Sequence, residues 1–161
     1  RAEAAVLRLG VRGLVIDPFN YIEIETRDDT ETNTISNILT KLRLFAVSHD
    51  VHIWFIAHPR ILRSSDGGGI PIPKGYDISG SAAWFSKADF GLTVVRPWMH
   101  SPMVVDDFGD KSHARKKDNA VEIHVWKCRF KWMGSVGVAK LEYNPVNGCY
   151  SQYMDWDDVE I

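Results

Sequence analysis

Hydrophobic and polar positions alternate along the chain in two rhythms. Residues 2–9 (AEAAVLRL) place small and apolar side chains at helical spacing, and Gly10 follows as a stop signal. Leu14, Val15 and Ile16 form a short apolar run ended by Asp17 and Pro18, which predicts a buried strand. Residues 23–33 are acidic and threonine-rich, so they predict a loop. From Thr34 to His49, apolar residues fall at Ile35, Ile38, Leu39, Leu42, Phe45 and Ala46, the spacing of one helix face, with Thr or Asn as the cap. Val51 to Ala57 (VHIWFIA) predicts a central strand, closed by His58 and Pro59.

The second half changes character. Residues 63–75 hold four glycines and two prolines, the composition of a flexible loop. Ser79 to Ala88 predicts a short helix and Phe90 to Val95 a strand. Residues 97–119 are polar, mixed in charge and without periodicity, which predicts an exposed insertion. Ala120 to Arg129 alternates as a half-buried strand. Val136 to Tyr143 and Cys149 to Met154 follow, joined through the Asn147-Gly148 turn signal. The acidic tail DWDDVEI is expected to be peripheral. Helices alternating with strands, followed by consecutive strands, predict an α/β fold. Its sheet is expected to be mostly parallel and flanked by helices, with an antiparallel C-terminal edge.

Composition narrows this little. The 161 residues are 45% hydrophobic and 25% charged, ordinary for a globular chain with a sizeable core. With a formal net charge of −2, bulk electrostatics do not announce a nucleic-acid binder, so any such binding must rest on a local basic patch. The two cysteines, Cys128 and Cys149, lack metal-ligand spacing and are expected to be reduced thiols. No histidine pair has zinc spacing. No run of 18 apolar residues predicts a membrane span, and the first ten residues lack a signal-peptide core. The chain begins with Arg1 inside a predicted helix, which suggests a piece of a longer protein.

Candidate chemistry sits at strand ends. Ligands of open α/β sheets bind beyond the carboxyl ends of strands. Asp17 and His58 stand at two such ends. A carboxylate there can reach a nucleotide-bound magnesium, and a neutral imidazole can bond a terminal phosphate. Each also has a plainer reading, a strand-terminating Asp and a His satisfied by turn backbone. Lys127 and Arg129, two apart on a strand, share a face and could reach a phosphate. They could equally form a solvated basic edge.

Together these pieces resemble a family. LVIDPFNY, FIAHPR, DISGSAAWFSKAD and KCRF…GSVG…LEYN…NG occur in an order and spacing similar to the superfamily 4 RecA-like ring helicases. The likeness is nearer to the phage primase-helicase and Twinkle types than to the DnaB type. It covers nearly the whole chain and implies one domain over 1–161, the C-terminal part of a RecA-like ATPase core. It implies ATP and Mg²⁺, with Asp17 as the Walker B aspartate and His58 as the phosphate sensor. Arg129 would be the arginine finger acting on a neighbouring subunit's ATP, with Lys127 beside it. Arg96 and Tyr143 would sandwich the adenine, as a guanidinium plane and an aromatic ring can. Arg60, Arg63 and Lys74, with the backbone amides of Gly80 and Ser81, would contact single-stranded DNA without reading its sequence.

The resemblance further implies a homo-oligomeric ring, a hexamer by type, in a bacterial or phage-infected cytoplasm or in mitochondria. The chain departs from the family in several respects: no G-x-x-x-x-G-K-[ST] occurs in it, residues 97–119 are longer than the resemblance implies, and residues 130–133 (FKWM) read as an insertion. The family's water-polarising glutamate lies upstream of Asp17 and is not matched to Glu3. These 161 residues alone are therefore not expected to hydrolyse ATP. A RecA-like ATPase that does not unwind DNA and a non-catalytic binding or assembly module remain alternatives.

Overall fold

The computed structural model describes residues 1–18, 30–64, 69–78, 82–105, 108–115 and 117–153. The chain divides into two compact units, Arg1–Arg60 with Gly75–Ala88, and Ile61–Lys74 with Asp89–Ile161.

In the first unit, α1 (Ala2–Leu9) ends at Gly10, whose φ of 68° is the left-handed cap that glycine adopts without a Cβ clash. β1 (Gly13–Ile16) pairs in parallel with β2 (His52–Phe55), Ile16 opposite Phe55. Between them runs α2 (Glu31–His49), capped by Thr30, whose side chain accepts from the Asn33 amide at 3.3 Å. The core cluster is Ile35 and Trp84, packed with Leu39, Phe55, Ala57 and Ile78. Trp84 comes from α3 (Ala83–Lys87), and its ring lies 5.0 Å from that of Phe55. The Lys87 ammonium ties α3 to α2, donating to the Ser36 carbonyl at 2.7 Å.

β1 and β2 half-bury alternate residues. Their other face is bare among the described residues: Val15 is 61% exposed and Trp54 51%. A parallel sheet is ordinarily covered on both faces. The sequence predicted a central strand here because residues 51–57 are rich in β-forming side chains, and among the described residues only one row of them is packed.

In the second unit, β3 (Phe90–Val95), β6 (Ala120–Cys128), β7 (Gly137–Tyr143) and β8 (Tyr150–Gln152) form one antiparallel sheet in that order. The antiparallel part expected at the C-terminal edge thus begins already at β3, and the parallel part is the β1–β2 pair. The turn from β7 to β8 closes through Gly148, φ 72°, with its amide bonded to the Asn144 carbonyl at 2.9 Å.

Residues 97–119, expected to be an exposed insertion, carry secondary structure of their own. They contain α4 (Pro97–His100) and a hairpin of β4 (Met103–Val105) and β5 (Lys111–His113). The Trp98 ring meets His113 edge-on at 5.3 Å, and Arg115 pairs with Asp118 at 2.8 Å. The segment shows no periodicity because β4 buries neither face.

Candidate functional site

The first unit brings Asp17 and His58 to one edge. The Ile56 amide donates to the Ile16 carbonyl at 2.9 Å, so the parallel ladder runs to its last rung just before both residues. Asp17 follows β1 directly, and His58 lies beyond β2. Both are exposed. Among the described residues neither side chain has a hydrogen bond, so the backbone-satisfied histidine does not describe His58. An exposed, uncommitted carboxylate at a strand end has the donor chemistry that Mg²⁺ takes alongside substrate phosphates and waters. No cluster of three or more His, Cys, Asp or Glu gathers among the described residues.

The second unit organises the basic end. The Arg129 amide donates to the Asp89 carbonyl at 2.9 Å, adding a rung beyond the Phe90–Cys128 pair. Arg129 Nε lies 2.9 Å from Asp89 Oδ1, with both side chains about two-thirds buried. Lys127 is opposite Gly91 and half-buried, and it lies two residues before Arg129, so the two share a face. The register shifts between Gly91 and Leu92, leaving Trp126 as the extra residue of a bulge. Its ring covers Gly91 so closely that any Cβ there would overlap ring carbons. The indole Nε1 donates to Thr93 Oγ1 at 3.0 Å, and that hydroxyl donates to the Pro73 carbonyl at 2.7 Å.

Arg96 and Tyr143 sit at the opposite end of this sheet. Arg96 is exposed just past β3, and Tyr143 ends β7, its ring 5.2 Å from its cross-strand neighbour Tyr150. From Asp89 to Arg96 is seven residue steps of about 3.4 Å each, or about 24 Å between the ends. The structure does not bring Arg96 and Tyr143 together with Lys127 and Arg129.

The candidate DNA contacts are dispersed. Arg60, in the first unit, is paired with Asp77 at 3.4 Å and bonded to it through the backbone at 2.8 Å. Arg63 and Lys74, in the second, belong to no strand or helix, and Lys74 directly precedes a 3-10 turn at Gly75–Asp77. Gly80 and Ser81 lie outside the described residues. The second half of the glycine loop is tied down rather than free: His100 Nδ1 lies 3.0 Å from the Ile70 carbonyl, and a Cβ on Gly69 would strike the His100 backbone. Gly69 is thus a close-packing glycine, not a hinge. Cys128 and Cys149 are both free thiols. No helix among the described residues is long and apolar enough to cross a membrane.

No protein-family model matches the chain. It is 41% identical over 157 residues to the Twinkle homolog protein, chloroplastic/mitochondrial, of Arabidopsis thaliana, covering 94% of this chain. The chain carries a segment of the superfamily 4 RecA-like core. It spans 19% of that relative's length. Two solved structures share the fold. One, an ATPase domain, has a TM-score of 0.69 at 21% identity, covering 95% of this chain and 50% of that one. The other, a DnaB-like replicative helicase solved in a study of its interactions with primase, has a TM-score of 0.66 at 22% identity, covering 95% and 34%.

Asp89 and Asp77 are the site residues that sequence reasoning passed over. Both lie within the DISGSAAWFSKAD stretch, but a carboxylate's cross-strand partner is visible only once register is known.

Proposed function

We infer that this superfamily 4 segment is part of an ATP-dependent replicative DNA helicase, a homo-oligomeric ring that couples hydrolysis at subunit interfaces to translocation on single-stranded DNA. On this reading residues 1–161 are one RecA-like domain without its phosphate-binding loop. The observation that carries it is the parallel β1–β2 pair, whose adjacent strand ends lead into Asp17 and His58, both exposed and uncommitted. That is where an open α/β sheet receives a nucleotide.

Asp17 holds the magnesium, which neutralises charge on the phosphates when bound. His58 bonds the terminal phosphate of the same nucleotide and loses that bond after hydrolysis. Arg129 and Lys127 face the phosphates of a neighbouring subunit's nucleotide and stabilise the charge that spreads over them in the transition state. The distance between the sheet's two ends favours this division. At about 24 Å from Arg129, Arg96 and Tyr143 belong with a different nucleotide from the one the finger serves. Arg60, Arg63 and Lys74 contact DNA phosphates, with Arg60 held by Asp77. The bare face of β1 and β2 fits a core completed by further chain. The plant relative's organellar name favours the mitochondrial side of the location expected from sequence over the cytoplasmic one.

The test is ATP hydrolysis by the parent chain with and without single-stranded DNA. Hydrolysis should be DNA-stimulated. Arg129→Ala should leave ATP binding in place and lower turnover by about 10³–10⁵. Wild-type turnover in that variant would remove the assignment. Strand displacement on a forked duplex separates a helicase from an ATPase that does not unwind DNA.

A further inference from the structure

We propose that Asp89 is the positioning residue of Arg129, fixing the finger's guanidinium at the end of β6 so that it meets the neighbouring phosphate already oriented. The inference rests on the trans-finger reading above.

Asp89 is the last residue before β3 and Arg129 the first beyond β6, so the two form the terminal rung of the antiparallel ladder. One residue therefore holds the other twice. The Asp89 carbonyl takes the Arg129 amide at 2.9 Å, which sets where the side chain leaves the backbone. Asp89 Oδ1 lies 2.9 Å from Arg129 Nε, which sets where it goes. The contact is a close charge pair rather than a directed hydrogen bond, so it draws the Nε end of the guanidinium to the carboxylate by attraction, and the two terminal nitrogens follow on the same rigid plane. Those nitrogens form the fork that recognises a phosphate.

The arrangement counters a specific difficulty. A long arginine loses considerable rotamer freedom when it is ordered. If that ordering occurred only as charge developed on the phosphoryl group, it would subtract from transition-state stabilisation. Holding Nε beforehand moves the loss to folding, which is the logic of preorganised electrostatic catalysis. Strand geometry enforces the reach. β3 and β6 are anchored below this rung by Trp126, whose indole lies across Gly91 and bonds Thr93. Asp89 itself touches no substrate in this scheme. Its effect passes through Arg129.

The experiment uses the full parent chain with saturating single-stranded DNA and measures kcat and KM for ATP. Asp89→Ala should lower kcat by about 10–100-fold, the scale of a misplaced catalytic group, with KM unchanged. Asp89→Asn keeps the side chain's size but removes the charge that pairs with the guanidinium, and should lose about as much as Asp89→Ala. In an Arg129→Ala background, Asp89→Ala should cost nothing further, because both changes remove one function. Hydrogen exchange of the β3 and β6 amides should match wild type, since the backbone rung does not need the carboxylate. If Asp89→Ala does open the sheet end, Asp89→Ser, polar but too short to reach Nε, takes its place.

Wild-type kcat in both Asp89→Ala and Asp89→Ser, with Arg129→Ala inactive, overturns the positioning role and leaves the finger standing. An equal loss from Asp89→Ala with and without Arg129 overturns it too, since Asp89 would then act elsewhere. Full turnover in Arg129→Ala overturns the finger and this proposal together.

Discussion

Gly91→Ala should be among the most damaging single-methyl additions in the second unit. Gly91 is buried, and the Trp126 ring lies where its Cβ would go, overlapping three ring carbons. The neighbour is a rigid bicycle rather than the end of a flexible chain, so the ring must move as a whole. Forcing extra volume into a packed site costs about 1–3 kcal/mol. Moving the indole also breaks its 3.0 Å bond to Thr93 Oγ1, for about another 1 kcal/mol. The sum, about 2–4 kcal/mol, should appear locally as a roughly 30- to 700-fold loss of amide-exchange protection in β3 and β6, at about 1.4 kcal/mol per tenfold. The parent chain is the sample, read by hydrogen exchange resolved to these strands. ATP turnover should fall in parallel, because Lys127 is opposite Gly91 and Arg129 lies just beyond it along the same strand. Adding Trp126→Leu to Gly91→Ala should recover protection, since leucine leaves room for the methyl. If the two changes are simply additive within about 0.5 kcal/mol, the residues are not coupled and the steric argument is wrong.

Two further outcomes follow from the same geometry. Ile35→Ala removes the most deeply buried side chain of the first unit, 1% exposed, and should cost about 2–5 kcal/mol by urea unfolding; a change under about 1 kcal/mol would mean that α2 is not packed on Trp84 and Phe55. Replacing Arg63 and Lys74 together by Ala should weaken binding to single-stranded DNA and reduce the slope of log affinity against log salt by about 1.4, or about 0.7 per lost phosphate contact; an unchanged slope would take both residues out of the DNA path.

Much of the fold is legible in the chain because its elements have one buried face. α2 shows the helical period since Ile35 and Leu39 meet a core, and β3 shows its full extent since Gly91 and Val95 are buried. Two features had no such signal. The β4–β5 hairpin buries almost nothing, so no alternation was selected in it. The partner of β3 lies beyond the whole 97–119 segment, and an order of strands and helices does not say which strand a given one will join. Alternation of β and α elements argued for parallel pairing, and β3 instead joined the consecutive strands that followed it.

The candidate site divides along the same line. Asp17 and His58 could be found because each interrupts an apolar run at a strand end, a one-dimensional signal. Asp89 could not, because its meaning lies in being opposite Arg129, forty residues on, and that follows from register. The bulge at Trp126 is equally invisible in one dimension. Counting by twos along β6 without it would place Lys127 and Arg129 on the wrong side relative to β3. One extra residue, accommodated only because position 91 has no side chain, sets the face from which both cations emerge. A glycine inside an apolar strand run thus decides where the charges at the strand's end point.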